Sequence, residues 1–532
     1  MDTPARDRLW SPPHPATLAV AAGLLATAAQ PPHRLPGWVI LPALALLATA
    51  VHRSRRPGRT AWLFGLVHQG TLLAWLFSLH PSRTAPPHWW LVPLQAVAAI
   101  GYVSLFYLGL GWAWGRLRDR TGHAAALLLW PPLWTAMEAL RGVGELGFPW
   151  CLTGAAWVDS PLQPLAAAGG ELALGAATVL VATLVPAAGS PDLRRARRPR
   201  LALAAFALLA VAGWTVLALG GRRAVVAARR TTTADTAAVR VAAVQADVAL
   251  RDKWVEARLD STVVPYTRLT RAAAAAGADL VVWAETAVPA YVLVDPARRD
   301  LLAWLRARAD SNDVWLLTGL PDLALRPDGG VARYNGVALL DDHGLVRARA
   351  AKHHLLPVGE TLPGQRWLPW LRRVDLGQAE WTPGDPPAPL PVDLADGRTL
   401  RPVPLICFEA VFPDLARQAV RRGADVLVNL TNDGWFGWSA GPRQHAALAR
   451  MRCAECGVPL VRSANNGISL VADATGTVVA RLGLNRRGFV LADVVPGPGD
   501  TWFVRHGPWP LAVVLAAWSL LVLLLLPPGR EP

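Results

Sequence analysis

Three stretches of this sequence each carry a side chain that can take part in covalent chemistry. One apolar run ends shortly before Glu285, a second stretch carries Lys352 and Glu360, and another apolar run ends at Cys407. These groups complement one another for acyl transfer. A glutamate accepts the thiol proton, a cysteine attacks a carbonyl carbon, and a lysine with a backbone N–H stabilises the oxyanion. Because a free thiol has a pKa of about 8.5, a base and a nearby cation are needed for a useful thiolate at neutral pH.

Cys407 is predicted to lie between a buried strand and a helix. The residues Pro404–Ile406 before it are mostly apolar, and a helix-like segment, 414–422, follows it. Backbone N–H groups and the helix dipole at such a position favour an anion, so we expect the site to favour a thiolate. A single cysteine in an apolar run also fits an ordinary core residue. The glutamate and the lysine at matching positions favour the nucleophile.

Lysine is rare in this chain. Lysine and arginine together number 53, but only Lys253 and Lys352 are lysines. Where arginine serves almost everywhere, a remaining lysine is expected at a position that requires a compact ammonium. Chance survival is the alternative for each of them.

The composition predicts a protein that is partly embedded in a membrane. Of its 532 residues, 53% are hydrophobic and only 17% are charged, whereas soluble chains are usually about 25% charged. The net charge of +15 does not indicate nucleic-acid binding, because the arginines lie in short clusters between apolar runs. Eight apolar segments are candidate membrane helices: roughly 15–31, 37–51, 61–80, 88–114, 123–140, 162–187, 201–220 and 508–527.

The distribution of arginine among the loops predicts the orientation of these segments. Loops 52–59, 115–121 and 191–200 are rich in arginine, whereas the alternate loops carry single arginines. The positive-inside rule then places both termini in the cytoplasm and the long segment 237–500 outside it. The first apolar segment also has features of a signal peptide, but we take it as a retained anchor. Either choice leaves the later segments in the same orientation.

The segment 237–500 is predicted to be a soluble α/β domain, because strand-like and helix-like runs alternate. Neighbouring strands of such a sheet bring their ends to one edge, where we expect Glu285, Lys352 and Cys407 to meet. The predicted strands are Val239–Gln245, Leu280–Trp283, Val314–Gly319, Gly336–Leu340, Val403–Cys407, Val426–Leu430, Leu460–Ser463 and Ile468–Ala472. The predicted helices are Val255–Ala276, Arg298–Asp310, Leu415–Arg422 and Arg443–Cys456.

The motifs around the three reactive residues resemble the signatures of the nitrilase superfamily. Trp283–Thr286 surrounds the glutamate, Lys352–Leu355 with Gly359–Glu360 surrounds the lysine, and Cys407–Glu409 surrounds the cysteine. Further matches along nearly the whole chain narrow the resemblance to the membrane-bound apolipoprotein N-acyltransferases. They are Val244–Gln245, Trp254, Tyr334–Asn335, Asn432–Gly437, Gln444–His445, Ala449–Arg452, Arg462–Gly467, Glu138–Arg141 and Gly147–Trp150.

The resemblance implies an α-helical membrane domain of about eight transmembrane helices plus an α/β nitrilase-like domain, an α-β-β-α sandwich. It implies residues 1–222 as the membrane domain, 237–500 as the periplasmic catalytic domain and 501–532 as a C-terminal transmembrane helix. The implied reaction moves an acyl chain from a phospholipid, through a cysteine thioester, to the N-terminal S-diacylglyceryl-cysteine amine of apolipoproteins. The implied location is the cell inner membrane. No cofactor, metal or nucleic acid is implied, and we expect a monomer.

Family roles transfer onto individual residues by the same resemblance. Glu285 matches the base, Lys352 the oxyanion-stabilising lysine and Cys407 the nucleophile. Supporting roles are implied for Glu360, Glu409 and Trp254. The family commonly has a tyrosine directly after the cysteine, whereas this chain has Phe408. The ring is kept and the hydroxyl is lost, which puts the second half-reaction in doubt if that hydroxyl handles the acceptor.

Two further features have alternative interpretations. Trp435, Phe436 and Trp438 form an aromatic loop that we expect to enter the membrane interface or to cover the acyl chain, although it also fits a packed core. Cys453 and Cys456 form a C-x-x-C pair, which favours a packed helix face over a disulfide, and the lack of a second ligand pair argues against a zinc site.

Two other functions fit the same sequence. A membrane-tethered nitrilase-type amidase would use the same glutamate, lysine and cysteine, but it has no evident use for eight membrane helices. A non-catalytic lipid-binding paralogue would explain Phe408, but the complete set of Glu285, Lys352 and Cys407 argues against it.

Overall fold

The computed structural model describes residues 13–79, 92–195, 197–233, 238–327, 329–365, 367–368, 370 and 381–526. In these ranges the helices are α1 (Pro15–Ala28), α2 (Ile40–Arg53), α3 (Pro57–Leu72), α4 (Val92–Leu128), α5 (Trp130–Arg141), α6 (Gly170–Gly189), α7 (Pro191–Arg195), α8 (Arg197–Thr233), α9 (Leu250–Lys253), α10 (Leu259–Ala275), α11 (Arg299–Asp310), α12 (Pro413–Arg421), α13 (Gly441–Cys456), α14 (Trp502–His506) and α15 (Trp509–Leu525).

The N-terminal part is helical, and each predicted apolar segment overlaps a helix. The fifth predicted segment begins at a break in α4, because Gly122 has φ +85° and leaves the helical conformation there. Parts of three segments, at positions 80, 88–91 and 527, lie outside the described residues. By length and composition, three helices of the described chain can cross a membrane, and three apolar helices are shorter. The long ones are Val92–Leu128, Gly170–Gly189 and Arg198–Arg223, and the shorter ones are Pro15–Ala28, Gly37–Arg53 and Trp509–Leu525.

The C-terminal part contains two large sheets. The first has the order β13-β1-β2-β3-β4-β5, the second has the order β12-β11-β10-β9-β8, and β6 pairs with β7. The strands are β1 (Val239–Gln245), β2 (Leu280–Val282), β3 (Trp315–Leu325), β4 (Val331–Leu340), β5 (Val346–Ala351), β6 (Val392–Asp393), β7 (Thr399–Leu400), β8 (Pro402–Ile406), β9 (Val426–Thr431), β10 (Leu460–Ala464), β11 (Ser469–Ala472), β12 (Val478–Leu482) and β13 (Gly488–Val494).

The two sheets pack face to face, with helices on their outer faces. One buried apolar cluster contains Val241 and Val282 of the first sheet together with Val428 and Val461 of the second. Other clusters pack α10 and α11 on the first sheet, and α12 and α13 on the second. This four-layer α-β-β-α arrangement follows from strands that are apolar on both faces, since each sheet must cover one face with helices and the other with its partner sheet.

All eight predicted strands and all four predicted helices of this part are present, with shifted ends. Strands β5, β12 and β13 were missed, as were the two short strands β6 and β7. In β5 and β12 the burial alternates, and arginines occupy both exposed positions of β5 and one of the two in β12, so neither strand was recognised as a buried apolar run.

The prediction that Glu285, Lys352 and Cys407 meet at one edge of a single sheet was wrong in one respect. Glu285 follows β2 and Lys352 follows β5, which lie in one sheet with β3 and β4 between them, whereas Cys407 follows β8 of the other sheet. The two antiparallel pairings between β3 and β5 make β5 point the same way as β2, so both exits lie at one end. The site is therefore built between two sheets and not along neighbouring strands of one.

Buried polar contacts join the helical N-terminal part to the C-terminal part. The indole nitrogens of Trp75 and Trp150 both donate to Oε1 of Gln444 on α13, at 2.9 and 2.8 Å. Lower on the same helix, Arg452 forms ion pairs with Glu171 of α6 and with Glu455, at 2.7 and 2.8 Å. Helix α13 thus packs on the second sheet with one side and contacts the N-terminal helical part with another.

Candidate active site

Glu285 lies in a turn after β2, and two amides hold its carboxylate. Oε1 accepts a hydrogen bond from Nδ2 of Asn335 at 2.8 Å, and Oε2 accepts one from the backbone N–H of Asn432 at 2.9 Å. The next residue, Thr286, has φ +43°, a conformation that side chains other than glycine seldom adopt. Gly319 of β3 packs so closely that a Cβ there would lie 2.5 Å from the Thr286 nitrogen. The carboxylate is therefore fixed in direction.

Lys352 follows β5 directly and is paired with a second carboxylate. Its Nζ lies 2.7 Å from Oε2 of Glu360, while Oε1 of Glu360 accepts from Nδ2 of Asn335 at 3.1 Å. Burial opposes the ammonium charge, but Glu360, Cys407 and Glu285 outweigh it, so the pKa of Lys352 is raised. The site therefore holds a permanent cation that can stabilise an oxyanion.

Cys407 opens a 3₁₀ helix, Cys407–Val411, at the end of β8 and has φ +53°. Its carbonyl oxygen accepts from Nε2 of His445 at 3.0 Å and from Nδ2 of Asn429 at 3.2 Å. This sharp turn between strand and helix resembles the strained turns that expose nucleophiles in other hydrolase folds. The two side-chain donors fix the backbone that carries the sulfur.

The expectation that this position by itself favours a thiolate was wrong. Burial raises the pKa of the Cys407 thiol to about 12, and the Glu285 carboxylate adds to the shift, whereas Lys352 and the Thr431 hydroxyl oppose it. The α-helix α12 begins only at Pro413, too far along the chain to supply a dipole at the sulfur. The resting thiol is protonated, so the chemistry requires a base.

Glu409 connects the segment after Lys352 to the end of β8. Its Oε1 accepts from the backbone N–H groups of His353 and His354 at 2.7 and 3.0 Å, and its Oε2 accepts from that of Ile406 at 2.7 Å. The lysine and the cysteine come from different sheets, so this single carboxylate sets the distance between the two exits. That geometry agrees with a supporting role and gives Glu409 no direct contact with a reacting atom.

Phe408 is buried in an aromatic cluster at the junction of the two parts of the chain. Its ring stacks on Phe148 and Trp150 with centroids 5.7 and 6.3 Å apart, and it meets Phe412 edge-on at 5.1 Å. The ring therefore packs the residue after Cys407 against segment 148–150 of the N-terminal part. A hydrophobic ring suffices for this packing, and a phenol is not required.

The other aromatic residues named from the sequence occupy different environments. Trp254 is 42% exposed, and Trp438 is 81% exposed. Phe436 instead packs edge-on against Trp75, with centroids 4.8 Å apart, and lies beside Trp150. The predicted aromatic loop is thus divided into a packed residue, Phe436, and an exposed one, Trp438.

Sequence reasoning assigned no role to several residues that build the site. Asn335 bridges the two glutamates, and His445 supports the Cys407 carbonyl while its Nδ1 lies 3.1 Å from Oδ1 of Asp433. Arg462 pairs with Asp433 at 2.7 Å. Burial opposes the charge of Asp433, but Arg462 and His445 outweigh it and lower its pKa to about 2. Their only sequence signal was that they lie in the motif matches.

Cys453 and Cys456 are both buried on α13 and both carry free thiols. Burial raises the pKa of each thiol, so neither is a reactive thiolate. No group of three or more histidine, cysteine, aspartate or glutamate side chains in the described ranges is arranged to hold a metal ion.

Comparison with known proteins gives matches over both parts of the chain. A family model described as Carbon-nitrogen hydrolase matches residues 240–502, and one described as Apolipoprotein N-acyltransferase N-terminal domain matches residues 22–184. The apolipoprotein N-acyltransferase of Azotobacter vinelandii is 35% identical over 515 residues, covering 95% of this chain and 94% of the relative. That of Pseudomonas syringae pv. tomato is 31% identical over 512 residues, covering 95% and 96%. Among solved structures, an amidase from Nesterenkonia sp. aligns with 52% of this chain and 97% of its own, at 22% identity and a TM-score of 0.38.

Proposed function

Because the chain belongs to the apolipoprotein N-acyltransferase family, we propose that it transfers an acyl chain from a phospholipid to an apolipoprotein. The acceptor is the amine of the N-terminal S-diacylglyceryl-cysteine. The observation that supports this most strongly is the convergence of Glu285, Lys352 and Cys407 from two sheets, with the sulfur under the electrostatic influence of both other groups.

The first half-reaction forms a thioester. Glu285 takes the proton of the Cys407 thiol, and the sulfur attacks the carbonyl carbon of a phospholipid ester. Lys352 stabilises the resulting oxyanion. The intermediate collapses with cleavage of the ester C–O bond, and the lysophospholipid oxygen leaves with the proton from Glu285. Because the thiol has a pKa of about 12, Glu285 must remove its proton as the sulfur attacks.

The second half-reaction transfers the acyl group to the amine. The lipoprotein amine attacks the thioester carbonyl and gives a proton to Glu285. The C–S bond breaks, the amide is released and the thiol regains its proton. The thioester keeps the acyl group reactive towards an amine between the two steps. Asn335 and the Asn432 backbone hold Glu285 in one direction, which lets it serve both halves.

We further propose that residues 1–222 and 501–532 lie in the cell inner membrane and that residues 237–500 lie on its periplasmic side, in a monomer with eight membrane helices. The arginine-rich loops support this orientation. The close packing of Phe408 on Phe148 and Trp150 supports a nucleophile held near the membrane surface, where a phospholipid ester is found.

The covalent route is tested by incubating the full-length protein with phospholipid alone and measuring its intact mass. We expect one added acyl group on Cys407 and release of lysophospholipid, and no added mass in Cys407→Ser. A wild-type protein that stays unmodified while it acylates lipoprotein would exclude the thioester. Complementation of a strain that lacks lipoprotein N-acylation, with mass spectrometry of a lipoprotein N-terminus, tests the overall reaction and separates it from amide hydrolysis.

A further inference from the structure

The second lysine of the chain lies in the same site as the first. Lys253 ends the short helix α9 and is 1% exposed, as buried as Lys352. Its Nζ donates to the backbone oxygen of Glu285 at 2.7 Å. Both lysines of a chain that otherwise uses arginine are therefore buried beside the base and the nucleophile.

The ammonium of Lys253 has an unusual set of partners. Its recorded hydrogen bond goes to a neutral carbonyl oxygen, and among the described residues no carboxylate lies within salt-bridge distance of Nζ. Leaving an ammonium buried without an ion pair is energetically unfavourable. The charge itself therefore calls for a role.

The charges in the site show what that role is. Lys352 and Glu360 neutralise each other at 2.7 Å. Glu285 and Cys407 share one negative charge, which lies on the carboxylate at rest and on the sulfur after proton transfer. Both groups act electrostatically on Lys253, so one ammonium can balance that charge wherever it lies. We propose that Lys253 is the counter-ion of the Glu285–Cys407 pair and fixes the turn that presents Glu285.

This inference rests on the proposed function, since it assigns Lys253 a positioning role in the same acylation step. The titratable groups that act on Lys253 are Glu285 after β2 and Cys407 after β8. Lys352 and Glu360 act on Cys407 from the other side. Burial lowers the pKa of Lys253 to about 8, against the attraction of Glu285 and Cys407. The ammonium is therefore charged at pH 7, as the role requires.

The same contact also fastens a loop over the site. Residues 246–254 are held at their start by Asn465, whose side chain accepts from the Val248 N–H at 3.0 Å and donates to the Val248 oxygen at 2.7 Å. Lys253 holds their end on Glu285, and the half-exposed Trp254 follows directly. The Lys253 contact thus also fixes the backbone that carries Trp254.

The test separates the charge of Lys253 from its hydrogen bond. Lys253→Met removes both, whereas Lys253→Gln keeps an N–H donor for the Glu285 oxygen and removes only the charge. The full-length protein is mixed with phospholipid, and the rate of thioester formation on Cys407 is followed by intact mass from pH 5 to 9. Loss of a nearby cation makes the Glu285–Cys407 pair hold its proton more tightly. We therefore expect the acidic limb of the curve of acylation rate against pH to move up by about one pH unit in both variants. At pH values below the wild-type limb, this is a roughly tenfold slower acylation.

Arg251→Gln is the matched control, because Arg251 lies on the same short helix with its side chain 62% exposed. We expect the wild-type pH profile there. Alkylation of Cys407 by iodoacetamide gives a second measurement that does not depend on turnover, and we expect it to be slower in both Lys253 variants, because the thiolate loses its nearby cation. An unmoved acylation limb together with an unchanged alkylation rate in Lys253→Gln and Lys253→Met would overturn the counter-ion role. A wild-type protein that forms no thioester at any pH would instead contradict the proposed function, and the alkylation profile would then decide on Lys253 alone.

Discussion

The ammonium of Lys352 lies 2.7 Å from Oε2 of Glu360, and the lysine side chain is only 1% exposed. This pair explains how a buried lysine keeps its charge beside a protonated thiol. Loss of Glu360 would therefore change the charge balance and the position of Lys352, although we do not propose that Glu360 contacts the substrate.

Glu360→Gln is expected to slow acyl transfer about 100-fold, because the oxyanion-stabilising cation loses its partner and its direction. An uncompensated buried lysine also destabilises the fold by about 3 kcal/mol. Initial acylation rates and thermal unfolding in detergent measure the two effects. Glu256→Gln is the control, since it removes an exposed ion pair with Arg298 and should change neither quantity. Wild-type rates in Glu360→Gln would contradict the arrangement.

Glu285→Gln is expected to change acylation and thiol reactivity in opposite directions. The Glu285 carboxylate helps to raise the pKa of Cys407, so removing its charge lowers that pKa and increases the thiolate fraction at any pH below it. Alkylation of Cys407 by iodoacetamide at pH 9 should become faster, by about tenfold for each pKa unit. Acyl transfer should fall by about 100-fold or more, because the base is gone.

Peptide mass mapping measures this alkylation at Cys407 separately from the other three thiols, which are all buried. Cys407→Ser provides the background. Slower labelling of Glu285→Gln than of the wild type would mean that the carboxylate does not repel the thiolate.

Gln444→Leu tests the contact between helix α13 and the N-terminal helical part. The substitution leaves the buried indole N–H groups of Trp75 and Trp150 without an acceptor, at about 1–3 kcal/mol for each. Tm should fall clearly, and acylation should fall with it. Arg443→Leu makes a similar change at an exposed position of the same helix and should leave Tm nearly unchanged. Equal melting temperatures for the two variants would show that this contact does not stabilise the protein.

We expect Trp438 and Phe436 of the aromatic loop to have different functions. Trp438→Ser changes an 81% exposed residue, so Tm should stay the same while acylation from phospholipid vesicles falls by about tenfold, as loss of an interfacial anchor predicts. Phe436→Ser removes a ring packed on Trp75 and should lower Tm. If Trp438→Ser lowered Tm as much as Phe436→Ser, the exposed residue would belong to the packed cluster.

The sequence carried most of the fold. The pattern of apolar residues predicted eight strands and four helices of the C-terminal part. Buried strands are continuous apolar runs, whereas helices repeat their apolar positions. It missed β5, whose alternating arginines hide it, although Lys352 follows that strand directly. The four-layer packing and the antiparallel pairing of β4 with β5 depend on contacts far apart in the chain, which local patterns do not specify.

The sequence by itself determined which side chains can do the chemistry: Glu285, Lys352 and Cys407 stand in motifs whose residue types match acyl transfer. Only the tertiary structure decided how they act. Burial between two sheets raised the pKa of the Cys407 thiol, so the chemistry needs a base, and we propose Glu285 for that role. The same packing brought Lys253, about 30 residues before Glu285, onto its backbone oxygen. Charge and desolvation depend on the distances between groups in space, and those distances exist only once the two sheets have packed together.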